Sequence, residues 1–194
     1  MKATAVIALL AGFAASSTEA GGLCTTLKGE FEITPEFRKN ATGNFTKDKV
    51  KGYVECVICP FEKVYSSCST VVDQTHGEIS PFIGSHIHRA EDGNGMTGNG
   101  PPVVIFCGNP MGMSGHIPDH AKYSELCVQL PELGVRAGQL DMTGHHVPGE
   151  KSYALYFDIA TNPHTYYYNI HTMESLNKTG GKGFIRAPLR AVKS

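Results

Sequence analysis

The sequence predicts an all-β protein built as an antiparallel sandwich or barrel. Short apolar or alternating runs recur at short spacing and are separated by turn residues, which is typical of such sheets. The 194 residues include 22 glycines and 11 prolines, which favours many turns and short strands over long helices. No heptad or helical repeat is present, and nothing after the N-terminal leader marks a domain boundary.

The N-terminus has the features of a secretion signal. Lys2 supplies a positive start, residues 3–15 are apolar, and residues 18–20 offer small side chains for cleavage. We expect residues 1–20 to be removed and residues 21–194 to form one secreted domain. The apolar run is too short for a membrane span, although an uncleaved anchor is the alternative.

All six cysteines follow the leader, and an even number in a secreted chain predicts disulfide bonds. The sequence leaves their pairing open. The spacing of Cys56 and Cys59 also fits a redox or zinc site, but no second such pair accompanies it, so structural disulfides are favoured. Glycosylation sequons at Asn40, Asn44 and Asn177 predict a glycoprotein.

The first half of the chain predicts an antiparallel pair after an initial strand. Residues 27–33 alternate between apolar and polar positions and form the first strand. Residues 51–58 are rich in aromatic and β-branched side chains. Their partner is a segment around residues 64–72, tied to them by Cys59, Cys68 or both.

The second half continues the pattern. Residues 103–107 are continuously apolar and predict a core strand. Residues 123–130 fit a helix or a strand equally, and residues 133–142 fit a connection or a weak strand. Three later runs are predicted as strands, namely residues 153–159, 165–172 and 184–189.

Two loops are expected to be long. Residues 91–102 are rich in glycine and should be mobile, because glycine tolerates positive φ. Residues 108–122 are rich in glycine, proline, methionine and histidine. Thioether and imidazole together suit Cu(I), so this loop could form an accessory soft site; alternatively its Met-Ser-Gly sequence is ordinary turn chemistry. The candidate ligands in it are Met111, Met113, His116 and His120.

The strand predicted at residues 82–88 carries the best metal-binding candidates. The side-chain period of a strand is two, so His86 and His88 share one face, with Cα atoms roughly 6.5–7 Å apart, and Ile87 faces the core. Two imidazoles at that separation can converge on one ion, and neutral imidazole suits copper, zinc, iron and nickel. The alternative is that both rings lie on a solvated face and bind nothing.

Several residue blocks make the chain resemble a CHRD domain, the module named from chordin and also found alone in secreted proteins. In order they are residues 41–43, residues 86–88 followed by 99–104, residues 168–172, and residues 181–186. Together they cover roughly residues 27–190, which is nearly all of the mature chain. The chain departs from the family in a longer insert after His88, in its histidine- and methionine-rich segment 108–150, and in its cysteines.

The resemblance implies an immunoglobulin-like antiparallel β-sandwich and invites comparison with copper–zinc superoxide dismutase. By that comparison, His86, His88 and His171 hold copper, with zinc also possible. Arg186 would attract the superoxide anion and so act as a catalytic residue. A fourth ligand could come from His116, His120, His145 or His146.

Neighbouring residues could orient the ligands of this site. Alternatively, ordinary structural contacts explain its residues without a metal. Asn169 or Thr172 could orient the ring of His171. Alternatively, His171 is a half-buried histidine bonded to a strand carbonyl, and Arg186 forms an ion pair, for example with Asp158. The tyrosines at residues 166–168 are predicted to pack within a strand rather than to form a binding platform.

Three functions follow from these residues. The first is an extracellular copper protein, with or without superoxide dismutase activity, and the second is copper capture or delivery without catalysis. The third is an extracellular protein-interaction module without metal. The net charge of −1 indicates neither nucleic acid nor an anionic membrane as partner. No serine has the surroundings of a nucleophile elbow, so a hydrolase is not expected.

Overall fold

A computed structural model describes residues 24–40, 50–61, 65–74, 82–108, 137–146 and 152–192. The predicted leader at residues 1–20, the segment 123–130 and the sequon at Asn44 lie outside these residues. The described strands are β1 (Thr25–Glu30), β2 (Glu32–Ile33), β3 (Val50–Cys59), β4 (Tyr65–Gln74), β5 (Phe82–Arg89), β6 (Pro102–Gly108), β7 (Ala137–His146), β8 (Tyr166–Thr172), β9 (Ile185–Pro188) and β10 (Arg190–Ala191). The described helices are α1 (Pro35–Asn40), α2 (Ser152–Thr161) and α3 (Met173–Thr179).

The strands form two antiparallel sheets, which confirms the all-β prediction. The first sheet has the order β10-β1-β3-β4-β7, and the second has the order β7-β6-β5-β8-β9-β2. Strand β7 belongs to both, because residues 137–144 pair with β4 and residues 145–146 pair with β6. Within the segment 133–142, predicted as a connection or a weak strand, the described residues 137–142 are therefore a strand.

The two sheets are also joined at their opposite edge. The segment predicted as one strand at residues 27–33 bends at Phe31 and passes from the first sheet into the second. Leu27 pairs with Ala191 in one sheet and Ile33 pairs with Ile185 in the other, and both pairs belong to one continuous register. The layers therefore enclose a single core between them.

Side chains of both sheets fill this core. Alternation along the strands turns Leu27, Val54, Ile87, Tyr168 and Ile185 inward, and each is at most 1% exposed. The inward orientation predicted for Ile87 is thus found. Burying such an aliphatic side chain contributes about 1.5–3 kcal/mol to stability.

Disulfide bonds link neighbouring strands of the first sheet, which confirms the structural interpretation of the cysteines. Cys56 bonds to Cys68, its cross-strand partner, and Cys24 bonds to Cys59. Cys107 is also disulfide-bonded. Because Cys56 and Cys59 have different partners, their spacing does not form a redox pair here.

The strand predicted at residues 153–159 is wrong, because this segment lies within helix α2. Its alternating apolar positions also fit a helical face: Leu155 and Ile159 are buried, whereas Tyr153 and Phe157 are exposed, and the members of each pair are four residues apart. The sequence analysis also missed the short helices α1 and α3. The remaining described strands lie where they were predicted, within a few residues.

We expect Ile87→Ala to destabilise the protein by about 2–5 kcal/mol, because it leaves a cavity directly behind the two histidines of β5. Urea denaturation of the purified protein measures this loss. The matched control is Val192→Ala, at a side chain that is 43% exposed, which should change the free energy of unfolding by less than about 0.5 kcal/mol. Equal losses in the two variants would contradict the assigned core.

Candidate metal centre

Three histidines meet on the face of the second sheet that points away from the core. His86 and His88 project from β5, and His171 projects from the neighbouring strand β8. The register places Gly84 opposite His171 and Asn169 opposite His86, so all three imidazoles share one face. This face is buried: the three histidines are 3%, 6% and 8% exposed.

The spacing of the rings suits a single ion. One ring nitrogen from each of His86, His88 and His171 lies within 4.8 Å of the others. Metal–nitrogen bonds of about 2.0–2.1 Å require nitrogens roughly 3–4 Å apart, so a small inward movement of the rings completes the geometry. The cluster could therefore hold a metal ion.

Unpartnered nitrogens at the cluster fit such an ion. Among the described residues, neither ring nitrogen of His86 has a hydrogen-bond partner, and the Nε2 atom of His88 has none. Each buried polar atom left without a partner costs about 1–3 kcal/mol. A metal ion would satisfy one nitrogen of each ring with a single contact.

The rings are held in the neutral form that binds metal. Burial lowers the pKa of His86 well below its usual value, and the neighbouring His171 and His88 lower it further. Burial lowers the pKa of His88 to about 4, against the opposing effect of its bond to Gly100. Burial, and then the charge of His88, lowers the pKa of His171 to about 3.

A carbonyl fixes the tautomer of His88. The Nδ1 atom of His88 donates a hydrogen bond to the carbonyl oxygen of Gly100 at 2.8 Å, which leaves the Nε2 lone pair free to bind an ion. A side chain at Gly100 would collide with the carbonyl oxygen of Arg89, so only glycine lets this carbonyl approach the ring. The sequence analysis did not identify Gly100 as a site residue.

Gly84 leaves space for the ring of His86, because glycine has no side chain. A Cβ atom on Gly84 would lie 2.9 Å from Cε1 of His86, so the ring rests over the glycine. The pairing of β5 with β6 is irregular on either side of the segment from His86 to Ile87. Such irregularities often redirect side chains at functional sites.

Tyr167 is a site residue that the sequence analysis missed. Its ring stacks on His88, with centroids 5.1 Å apart and an interplanar angle of 16°, and its hydroxyl accepts a hydrogen bond from the Gly100 amide at 3.3 Å. Tyr166 and Tyr168 pack inside the core, as predicted for the whole run. The period of two, which places Tyr167 on the face of His171, was the signal that could have identified it.

Arg186 holds the glycine-rich loop against this face. It is 5% exposed and donates hydrogen bonds to the carbonyl oxygens of Gly98, at 3.0 Å, and Met96. The alternative ion pair with Asp158 is wrong, because Asp158 accepts from Tyr166 and lies near Arg89. Arg186 is the cross-strand partner of Asn169, so one strand separates it from the histidine-bearing strand β5.

Of the two residues expected to orient His171, the structure favours Asn169. The Nδ2 atom of Asn169 lies 3.3 Å from Nε2 of His171. Thr172 instead begins helix α3, where its hydroxyl accepts a hydrogen bond from the amide of Ser175. Among the described residues, the partner of Nε2 of His171 is the Asn169 amide and not a strand carbonyl.

The remaining predicted ligands are not placed at the cluster by the described residues. In the backbone register, Ile105 of β6 pairs with both His86 and His145, and Val104 pairs with His146. The side chains of the two β7 histidines lie outside the described part of the chain. So do four other candidates, Met111, Met113, His116 and His120, and their roles stay predictions.

No protein-family model, curated protein or solved structure matches the chain. The resemblance to CHRD domains and to superoxide dismutase therefore stays an expectation that rests on the residue blocks. Within the described residues, no helix is long and apolar enough to cross a membrane.

We expect the metal-free protein to lose stability as the pH falls from about 6.5 towards 4. The folded-state pKa values of His88 (about 4) and His171 (about 3) lie below the ordinary value of 6.5, so the unfolded chain binds more protons in this window. Each such histidine contributes a loss of up to about 1.4 kcal/mol per pH unit. Urea denaturation of the protein from pH 7 to pH 4 measures the slope.

His171→Gln should flatten the slope, since it removes one of the depressed groups. A slope that is identical in His171→Gln and in the unmodified protein would contradict the assignment.

Gly100→Ala should weaken metal binding by roughly 10–100-fold, because the displaced carbonyl no longer orients His88. Gly93→Ala is the matched control. Gly93 lies in the same loop with positive φ, but its Cβ would meet no atom within 4 Å. Competition with a chelator measures both affinities, and equal affinities would show that the Gly100 carbonyl does not position the ligand.

Proposed function

We propose that this protein is a secreted copper-binding protein in which His86, His88 and His171 hold the ion. The observation that carries the proposal is the convergence of three buried imidazoles, in which both ring nitrogens of His86 and the Nε2 atom of His88 lack a described hydrogen-bond partner. Copper is preferred among metals because imidazole suits it, and because methionine and histidine are both abundant in the segment 108–150. Zinc is the alternative ion. The disulfide bonds and the predicted leader support secretion.

The protein's own residues would bind the ion, orient its ligands and keep water out. The three imidazoles would hold the ion, and copper held by them would supply one-electron chemistry. Superoxide dismutation is the catalytic activity that we propose. Arg186 keeps its positive charge while it donates to loop carbonyls, so it would raise the local concentration of a small anion such as superoxide.

A second candidate function is copper capture or delivery without catalysis. It is favoured by the burial of the cluster, in which none of the three histidines is more than 8% exposed. A buried ion is protected from other ligands, whereas a catalytic ion must be reached by its substrate. The two functions therefore share one metal site and differ in access to it.

We expect the purified protein to bind one copper ion per chain, and His86→Ala to weaken this binding by more than about 100-fold, because it removes a ligand rather than a supporting group. Metal analysis and titration against a copper chelator measure both. His164→Ala, at an exposed histidine, should bind copper as the unmodified protein does.

The same preparation separates the proposed functions. Superoxide consumption that requires bound copper supports catalysis, whereas tight copper binding without it supports capture or delivery. A protein that takes up no copper or zinc would contradict both. The remaining hypothesis would then be an extracellular interaction module without metal.

A further inference from the structure

Asn169 stands between His171 and the rest of the cluster. It is the cross-strand partner of His86, and it is 1% exposed. Its Nδ2 atom lies 3.3 Å from Nε2 of His171 and donates to the carbonyl oxygen of Lys182 at 3.2 Å. The two hydrogens of the amide nitrogen thus have one acceptor each.

This contact determines the protonation of the ring. An amide nitrogen donates and does not accept, so Nε2 of His171 must be the acceptor and Nδ1 must carry the proton. Asn169 is the cross-strand partner of His86, so the amide that contacts Nε2 of His171 belongs to a residue beside a second histidine of the cluster. The lone pair of Nε2 is therefore occupied.

We propose that Asn169 is a positioning residue that occupies the Nε2 lone pair of His171 in the metal-free protein. A metal ion that binds His171 through Nε2 must displace this hydrogen bond. The ring is kept oriented and its buried nitrogen satisfied until the ion arrives. The tautomer assignment depends only on the contact between Asn169 and His171. The competition with a metal ion rests on the proposed function.

The surroundings of Asn169 are built around its amide. Gly183 has a φ of 90°, and a Cβ atom there would collide with the Oδ1 atom of Asn169. The hydroxyl of Thr34 holds this turn by donating to the carbonyl oxygen of Gly183 at 2.9 Å. The bond to Lys182 remains when the bond to His171 breaks, so the amide stays tethered.

The contact between Asn169 and Gly183 joins two of the residue blocks noted in the sequence. The block at residues 168–172 supplies the asparagine and the histidine, and the block at residues 181–186 supplies the turn that receives the amide. Because the two blocks are separated in the sequence, the sequence alone does not predict this contact. The register of β8 with β9 brings them together.

The first test needs no metal. Nitrogen-15 NMR of the imidazoles in the metal-free protein should show His171 as the Nδ1–H tautomer, with Nε2 as a hydrogen-bond acceptor. In Asn169→Asp the side chain can only accept, so the proton should move to Nε2. An Nε2–H tautomer in the unmodified protein would overturn the proposal, even if neither variant folds.

The second test measures the competition with copper(I) as the probe. Asn169→Leu cannot donate, so copper(I) should bind about fivefold more tightly, the factor that corresponds to one net hydrogen bond. Asn99→Leu, at an exposed asparagine, is the control and should leave the affinity unchanged. An affinity for Asn169→Leu equal to or weaker than that of the unmodified protein would overturn the competition.

The two tests can contradict the proposed function and the role of Asn169 independently. If the unmodified protein binds no copper, the proposed function is contradicted, and the tautomer measurement still decides the role of Asn169 in orienting His171. If copper binds and the tautomer is Nε2–H, the proposed function stands and the role assigned to Asn169 is wrong.

Discussion

The burial of imidazole nitrogens on the outer face of one sheet is the constraint on which the site depends. The face of an antiparallel sheet that points away from the core is usually solvated, and polar groups there bond to water. Here the three histidines are at most 8% exposed, and His86 has no described partner for either nitrogen. These unpartnered nitrogens reduce the stability of the folded protein. One ion bound by all three rings would offset the largest part of this loss.

The glycine-rich loop supplies both the cover and the orientation of this face. Arg186 binds the loop at Met96 and Gly98, and four residues after Met96 the Gly100 carbonyl meets the ring of His88. Tyr167 fills the space beside His88 and binds the Gly100 amide. The glycines of this loop predict that it is mobile, but in the structure it is attached at Met96 and Gly98 and again at Gly100. Its glycines therefore also allow its backbone to approach neighbouring groups closely.

The period of two was enough to place His86 and His88 on one face and Ile87 in the core, since this argument uses only neighbouring residues. The meeting of His171 with them depends on the register of β5 against β8, which local pattern does not fix. The predicted strand at residues 153–159 failed for a related reason, because its apolar positions satisfy a helical face as well as an extended one. The contacts of Asn169 and Gly100 depend on rotamers and on loop geometry, which no spacing reveals.

The three imidazole rings differ in how easily they can move, and this would determine which ring shifts when an ion binds. His88 is fixed by Gly100 on one side and by the stacked Tyr167 on the other, so its ring would move least when an ion binds. The Nε2 atom of His171 contacts the amide of Asn169, and under the proposal above this bond would have to break before Nε2 could bind an ion. His86 is held by packing over Gly84 without a described hydrogen bond, so its movement costs least. On binding an ion, the inward movement from separations of up to 4.8 Å would therefore fall mainly on His86, and the loss of a hydrogen bond would fall on His171 if it binds through Nε2.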